Sequence, residues 1–152
     1  MMRSASSNLI VRVTARFVAP VIQIFALYVL FHGHYSPGGG FQGGVMIAAS
    51  IILLRLALGN RETRPLISTA VATRGAALGA LIFLAVGALA FRYGGEFLDY
   101  GMIPFSDDES MRRSHGILLI EVGVALACTC ALTAIYDDLG EAPGRGEERS
   151  GD

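Results

Sequence analysis

GILLIEVGVALACTCALTAIY, residues Gly116–Tyr136, decides the fold class. A helix needs about 20 mainly apolar residues to cross the hydrocarbon core of a bilayer. This run reaches that length with a single charged side chain, Glu121. A helix buried in a soluble bundle would still present a polar face at helical spacing, and this run has none. Three more apolar stretches precede it: Phe17–Phe31, Phe41–Leu58 and Gly75–Phe91. The first is short unless His32–Tyr35 continue its helix, and the second reaches its length only by including Arg55. Composition agrees. Of 152 residues, 53% are hydrophobic and 16% charged, with a mean hydropathy of +0.53. A soluble domain carries about 25% charged residues, so this chain lacks the side chains to cover a wet surface. The expected fold is all-α, an integral membrane bundle of four transmembrane helices.

The net charge of -1 conceals an asymmetry, because all 12 basic residues are arginine. Arg3, Arg12 and Arg16 precede the first span, Arg55, Arg61, Arg64 and Arg74 surround the second connection, and Arg145 and Arg149 lie in the tail. The first connection has no arginine, while in the third Arg92, Arg112 and Arg113 are offset by Glu96, Asp99, Asp107, Asp108 and Glu109. By the positive-inside rule the N and C termini and the second connection are cytoplasmic. The chain then divides into a cytoplasmic N-terminal segment (1–16), a four-span membrane domain (17–136) and a cytoplasmic tail (137–152) expected to be disordered. No small-residue cleavage site follows the first apolar run, so a removed signal peptide is not expected. Nucleic-acid binding is not supported, since no basic face with interleaved aromatics occurs. Cys128 and Cys130 point in different directions on a helix and read as small packing residues.

The first connection, HGHYSPGGGFQGG (His32–Gly44), is the most unusual segment. Pro37 ends a helix by lacking an amide hydrogen, and Gly38, Gly39 and Gly40 admit backbone angles closed to other residues. Either an ordinary tight turn or a specialised corner fits. No Gly-Lys-Ser or Gly-Lys-Thr follows, so a phosphate loop is not supported. His32 and His34 have no third ligand nearby, so no metal site is expected. Because the flanking runs are short, the corner should lie at or below the outer membrane interface. Open backbone there must be covered by protein, not lipid. Gly43 and Gly44 carry the small surface into the second span, and Gly75 and Gly79 form a GxxxG pair in the third. Such faces bring helices close together, and sister subunits are the expected partners.

The string GHYSPGGGFQGGVMIAAS (Gly33–Ser50), with Phe41 among its ordered positions, resembles the signature of the MnhB/MrpB-type membrane domain, the B-type component of the Mrp-type multisubunit cation/proton antiporters. The four-span layout and the order Glu121-Val122-Gly123 in the last span extend the similarity, which covers about Phe17 to Tyr136. The resemblance implies a small plasma-membrane component of a hetero-oligomer that exchanges sodium or another monovalent cation for external protons. Similar domains also occur in redox-driven ion-pumping complexes of the membrane-bound hydrogenase type. A purely structural role is a further alternative.

Among ionisable residues, Glu121 is the sharpest ion-path candidate. A carboxylate at that depth must be neutral, paired or lining water. Both an ion path and a hydrogen bond to a neighbouring chain satisfy this. Glu121 shares a face with Ala125 and Cys128, while Gly123 and Ala127 form another, small face suited to a partner helix. His32, His34 and His115 are candidates to gather or relay protons, since histidine titrates near physiological pH; interfacial hydrogen bonding is the alternative. Arg55 is expected to snorkel to headgroups, or else to pair with a carboxylate of a sister protein. Asp107, Asp108 and Glu109 read as a solvated loop. No nucleophile with a base and an orienting group occurs, so neither catalysis nor a cofactor is expected.

Overall fold

The computed structural model describes residues 2–33, 39–65, 67–104 and 108–140; for residues 2–8, 60, 61 and 109 only the backbone is described. The elements are α1 (Met2–Phe31), α2 (Gly40–Leu58), the single turn α3 (Asn60–Thr63), α4 (Thr69–Arg92) and α5 (Glu109–Gly140). A short 3-10 turn, Tyr100–Met102, lies between α4 and α5. Four stretches are long and apolar enough to cross a membrane: Leu9–Phe31, Gly40–Leu58, Thr69–Arg92 and Ser110–Gly140. The all-α, four-span architecture expected from the sequence is therefore the observed one, and no strand occurs among the described residues.

Helix ends follow local chemistry. Ser68 caps α4 by accepting a hydrogen bond from the Val71 amide at 3.3 Å, and Asp108 caps α5 through the Ser110 amide at 3.1 Å, each meeting a donor the first turn leaves unused. Gly59, at φ 90°, terminates α2 in a backbone conformation that disfavours side chains. The first helix begins well ahead of Phe17, the start suggested by hydropathy. Arg12 and Arg16 do not interrupt it, because arginine is a good helix former. Both reach Glu62 just beyond α2: Arg12 donates to Oε1, and the Arg16 guanidinium lies 3.5 Å from Oε2. The hydrogen bond from Arg12, aided by the charges of Arg12 and Arg16, holds the Glu62 carboxyl below the usual carboxylate range.

The four long helices form an open row. α1 packs on α2, α2 on α5, and α5 on α4, with α1 and α4 at opposite ends. α2 and α5 run parallel: Gly40 lies at Glu121, Gly44 at Ala125 and Arg55 at Asp137. Small residues occupy the interior. Ala15, Ala19, Ala26, Ala48, Ala72 and Ala90 are buried, whereas Phe17, Ile24, Leu56, Leu81 and Phe91 are exposed. This inverts the pattern of a soluble core. In a bilayer apolar side chains gain little by leaving lipid, and close backbone approach supplies the packing instead. The small faces expected to meet sister subunits are used within the chain. Gly79 packs on Gly123 and Ala127, Gly75 on Cys130, and Gly44 on Ala125 and Cys128. Cys128 and Cys130 are both free thiols set among these helix contacts.

Candidate functional site

Glu121 and the glycine corner, eighty residues apart in the chain, form one site. A Cβ placed on Gly33, Gly39 or Gly40 would fall under 3.0 Å from Glu121. For Gly39 the obstructing atoms are those of the carboxyl group, for Gly33 the carboxyl oxygens together with the Gly39 Cα, and for Gly40 the Glu121 backbone itself. Glycine is required here by proximity, since any side chain would displace the carboxylate or push α5 off α2. Glu121 is half-buried, and its Oε2 is shut off from the surface. At about 1.5 Å per residue, the site lies about 18 Å along α5 from its start at Glu109 and about 24 Å from Asp137. It therefore sits level with the ends of α1 and α2 that meet at the corner, while α5 extends past it in both directions.

The other sequence candidates scatter. His34, Pro37 and Gly38 lie outside the described residues, as do Asp107 and the tail from 141 onward. His32 is exposed, with Nδ1 3.2 Å from the Tyr28 carbonyl and its ring tilted on Tyr28 at a centroid distance of 4.2 Å. It adjoins Gly33 and so borders the corner. His115 is also exposed, on α5 before Glu121. Phe41 points outward and Gly43 packs on Ala26 and Leu30 of α1. Asp108 is exposed, in keeping with a solvated loop. Among the described residues no three His, Cys, Asp or Glu side chains converge on a metal-binding point.

Arg55 departs from expectation. It neither snorkels nor awaits a sister protein. Its side chain is fully buried and ion-paired with Asp137 of α5, Nη1 donating to Oδ1, and both partners are 0% exposed. Nη2 donates to the Ile67 carbonyl at 2.7 Å. The Thr69 hydroxyl donates to Asp137 Oδ2 at 3.2 Å. Burying such a charge is tolerable only with a counter-charge and hydrogen bonds, and the chain provides both. Asp137 was hidden from sequence reasoning because it adjoins the last apolar run and counts as flank. The available signal was an acidic residue at the same end of the bundle as a displaced arginine.

Between the two charged sites the polar contacts are modest and local. Thr129 donates to the Gly44 carbonyl at 3.0 Å, joining α5 to α2. Gln23 of α1 donates to Ser50 at 3.1 Å, and the Ser50 hydroxyl in turn donates to the Ile47 carbonyl at 2.7 Å.

Residues 10–134 match the family described as a domain related to the MnhB subunit of Na+/H+ antiporter. The chain belongs to this MnhB family. It is similar to the B-type subunit of the Na(+)/H(+) antiporter of Alkalihalophilus pseudofirmus, 31% identical over 142 residues that cover 88% of this chain and 96% of the relative. It is also similar to the corresponding Na(+)/H(+) antiporter protein of Bacillus subtilis, 29% identical over 130 residues covering 80% and 90%. The MnhB-matched region contains the glycine corner, Glu121 and Arg55 but stops short of Asp137. The buried pair thus joins a residue inside the matched domain to one just beyond it.

Proposed function

We propose that this chain is the B-type membrane subunit of a hetero-oligomeric Na+/H+ antiporter in the plasma membrane. Its partners are the other antiporter subunits, and the ions moved by the assembly are protons and sodium or another monovalent cation. Both termini face the cytoplasm, placing the arginine-rich second connection inside and the glycine corner outside. In this reading Glu121 is a protonatable station on the outer side of the ion path. The chain positions and exchanges ions; no bond-breaking chemistry is assigned to it.

The observation that carries the reading is the Glu121 carboxylate lodged against Gly33, Gly39 and Gly40. An intramembrane carboxylate is costly unless it is neutral, paired or wet, and such residues mark ion or proton pathways. Among the described residues, Gly33, Gly39 and Gly40 let the backbone of the corner approach the carboxylate closely. A placement in a redox-driven pumping complex has no observation in its favour beyond the shared domain type.

The test is Glu121→Gln and Glu121→Ala in the complete antiporter complex. Complex recovery in mild detergent should be unchanged, while cation-dependent proton exchange in vesicles falls by at least about tenfold, equivalent to about 1.4 kcal/mol. A pH-dependent infrared carboxyl band present in the parent and missing from Glu121→Gln would accompany it. Full exchange activity in both variants rules out the ion-path role.

A further inference from the structure

We propose that the buried Arg55–Asp137 pair is a register pin: it fixes the axial position of α5 along α2, and thereby seats Glu121 under the glycine corner. Arg55 and Asp137 are positioning residues, with no contact to the carboxylate site about 24 Å away.

α2 offers Gly40 and Gly44 to α5, and α5 answers with Ala125, Cys128 and the backbone at Glu121. Such a surface allows close approach but little interdigitation. In lipid, where apolar contact has small driving force, it fixes an axial position only weakly. A slide of one turn, about 5 Å, would bring Ala125 under the corner in place of Glu121 while keeping small residues in contact. The Thr129 hydroxyl can follow whichever α2 carbonyl it meets. The charged pair cannot slide. A guanidinium aimed at one carboxylate oxygen loses its counter-charge when displaced by a few ångströms in a dry interior. Buried polar pairs are best attested in this role of setting register.

The spacing supports the assignment. Gly40 to Arg55 is 15 residues and Glu121 to Asp137 is 16, so parallel helices of equal rise bring both sites into alignment together. The pair is also braced from a third side. Arg55 holds the Ile67 carbonyl just before α4, and Asp137 holds the hydroxyl of Thr69, the first residue of α4. One network therefore ties α2, α5 and the start of α4 at the end of the bundle remote from the corner. Arg55 Nε, by contrast, is buried without an acceptor among the described residues. The two Nη atoms carry the whole connection, one to α5 and one to the approach of α4.

The inference uses the ion-path reading of Glu121 only for its transport consequence; the register claim is measured independently. Spin labels go on Ala49→Cys of α2 and Met111→Cys of α5, both exposed, with Cys128 and Cys130 replaced by alanine. The full chain is purified with the proteins that accompany it. The labels are separated along the axis by about 30 Å. Single removal of a partner, as in Asp137→Asn, can prevent insertion, so the deciding variant is the apolar pair Arg55→Met with Asp137→Leu. It should assemble in normal amount yet show a second distance population displaced by about 5 Å, one helical turn. Arg55→Lys, which keeps the pair, should retain one narrow population. An unchanged narrow distance in the apolar double variant overturns the proposal, as does the same broadening in Arg55→Lys. If the distance shifts while antiport is untouched, the register claim stands and the ion-path reading of Glu121 fails.

Discussion

Replacing Gly79 by alanine tests the inverted packing of this fold most directly. A Cβ there would lie 2.5 Å from the Ala127 nitrogen, 2.6 Å from the Gly123 carbonyl oxygen and 2.9 Å from the Ala127 Cα. All three are backbone atoms, so no rotamer change relieves the clash and α4 must move off α5 by on the order of 1 Å. Overpacking of this kind costs about 1–3 kcal/mol, while alanine gains about 1 kcal/mol over glycine in helix propensity. With only backbone available to yield, the upper end of the cost applies, and a net loss of about 2 kcal/mol is expected. Gly75→Ala is the control. Its Cβ meets the Cys130 Sγ at 2.5 Å and nothing else closer than 3.4 Å. Cys130→Ala should therefore rescue Gly75→Ala, leaving the double variant at or above the parent by up to the helix gain of about 1 kcal/mol. Gly43→Ala, whose nearest neighbours are 3.1 and 3.3 Å away, should be close to neutral. The assay is unfolding of the purified protein by sodium dodecyl sulfate in mixed micelles, followed by circular dichroism. Gly79→Ala as stable as the parent, or Gly75→Ala unrescued by Cys130→Ala, refutes the packing argument.

Two further outcomes follow from the polar contacts at the arginine-rich end. Because Glu62 has a depressed folded value, its contact with Arg12 is present above the ordinary glutamate range and is lost as pH falls through that lower value. Carbon-13 carboxyl resonances should show Glu62 more than half ionised near pH 4.3, where a free glutamate is about half protonated, and Glu62→Gln should weaken the hold of Arg12 and Arg16 independently of pH. Thr69→Val removes the hydroxyl bonded to Asp137 and should cost about 1.5 kcal/mol, the low end for a hydrogen bond to a charged group, in the same detergent unfolding assay. An unchanged unfolding curve would show that the bracing from α4 is idle.

The fold was legible because its deciding signal is one-dimensional. About twenty apolar residues in a row mean a membrane span whatever they touch, and Gly116–Tyr136 meets that condition alone. Helix boundaries were less legible: α1 runs through Arg12 and Arg16, whose charge is met by Glu62, far along the chain, which no hydropathy profile contains. The glycine corner and Glu121 could each be marked as unusual. That they form one site required knowing that α2 and α5 are neighbours and parallel, a fact set by packing of Gly40 and Gly44 on α5 and written nowhere in the local pattern.

Arg55 shows the same limit with opposite sign. An arginine near a helix end ordinarily snorkels, and that expectation is sound for a helix alone in lipid. In this row α2 is flanked on both sides, by α1 and by α5, so the guanidinium has no lateral route to headgroups. Burial then demands a counter-charge, and the helix that can supply one from within the row without breaking an apolar span is α5, whose last turn carries Asp137 and Asp138. A displaced charge inside a span predicts a partner at the matching depth of a neighbouring helix. Once Arg55 is placed 15 residues beyond Gly40, Asp137 at 16 beyond Glu121 identifies α5 as that neighbour and fixes its direction as parallel.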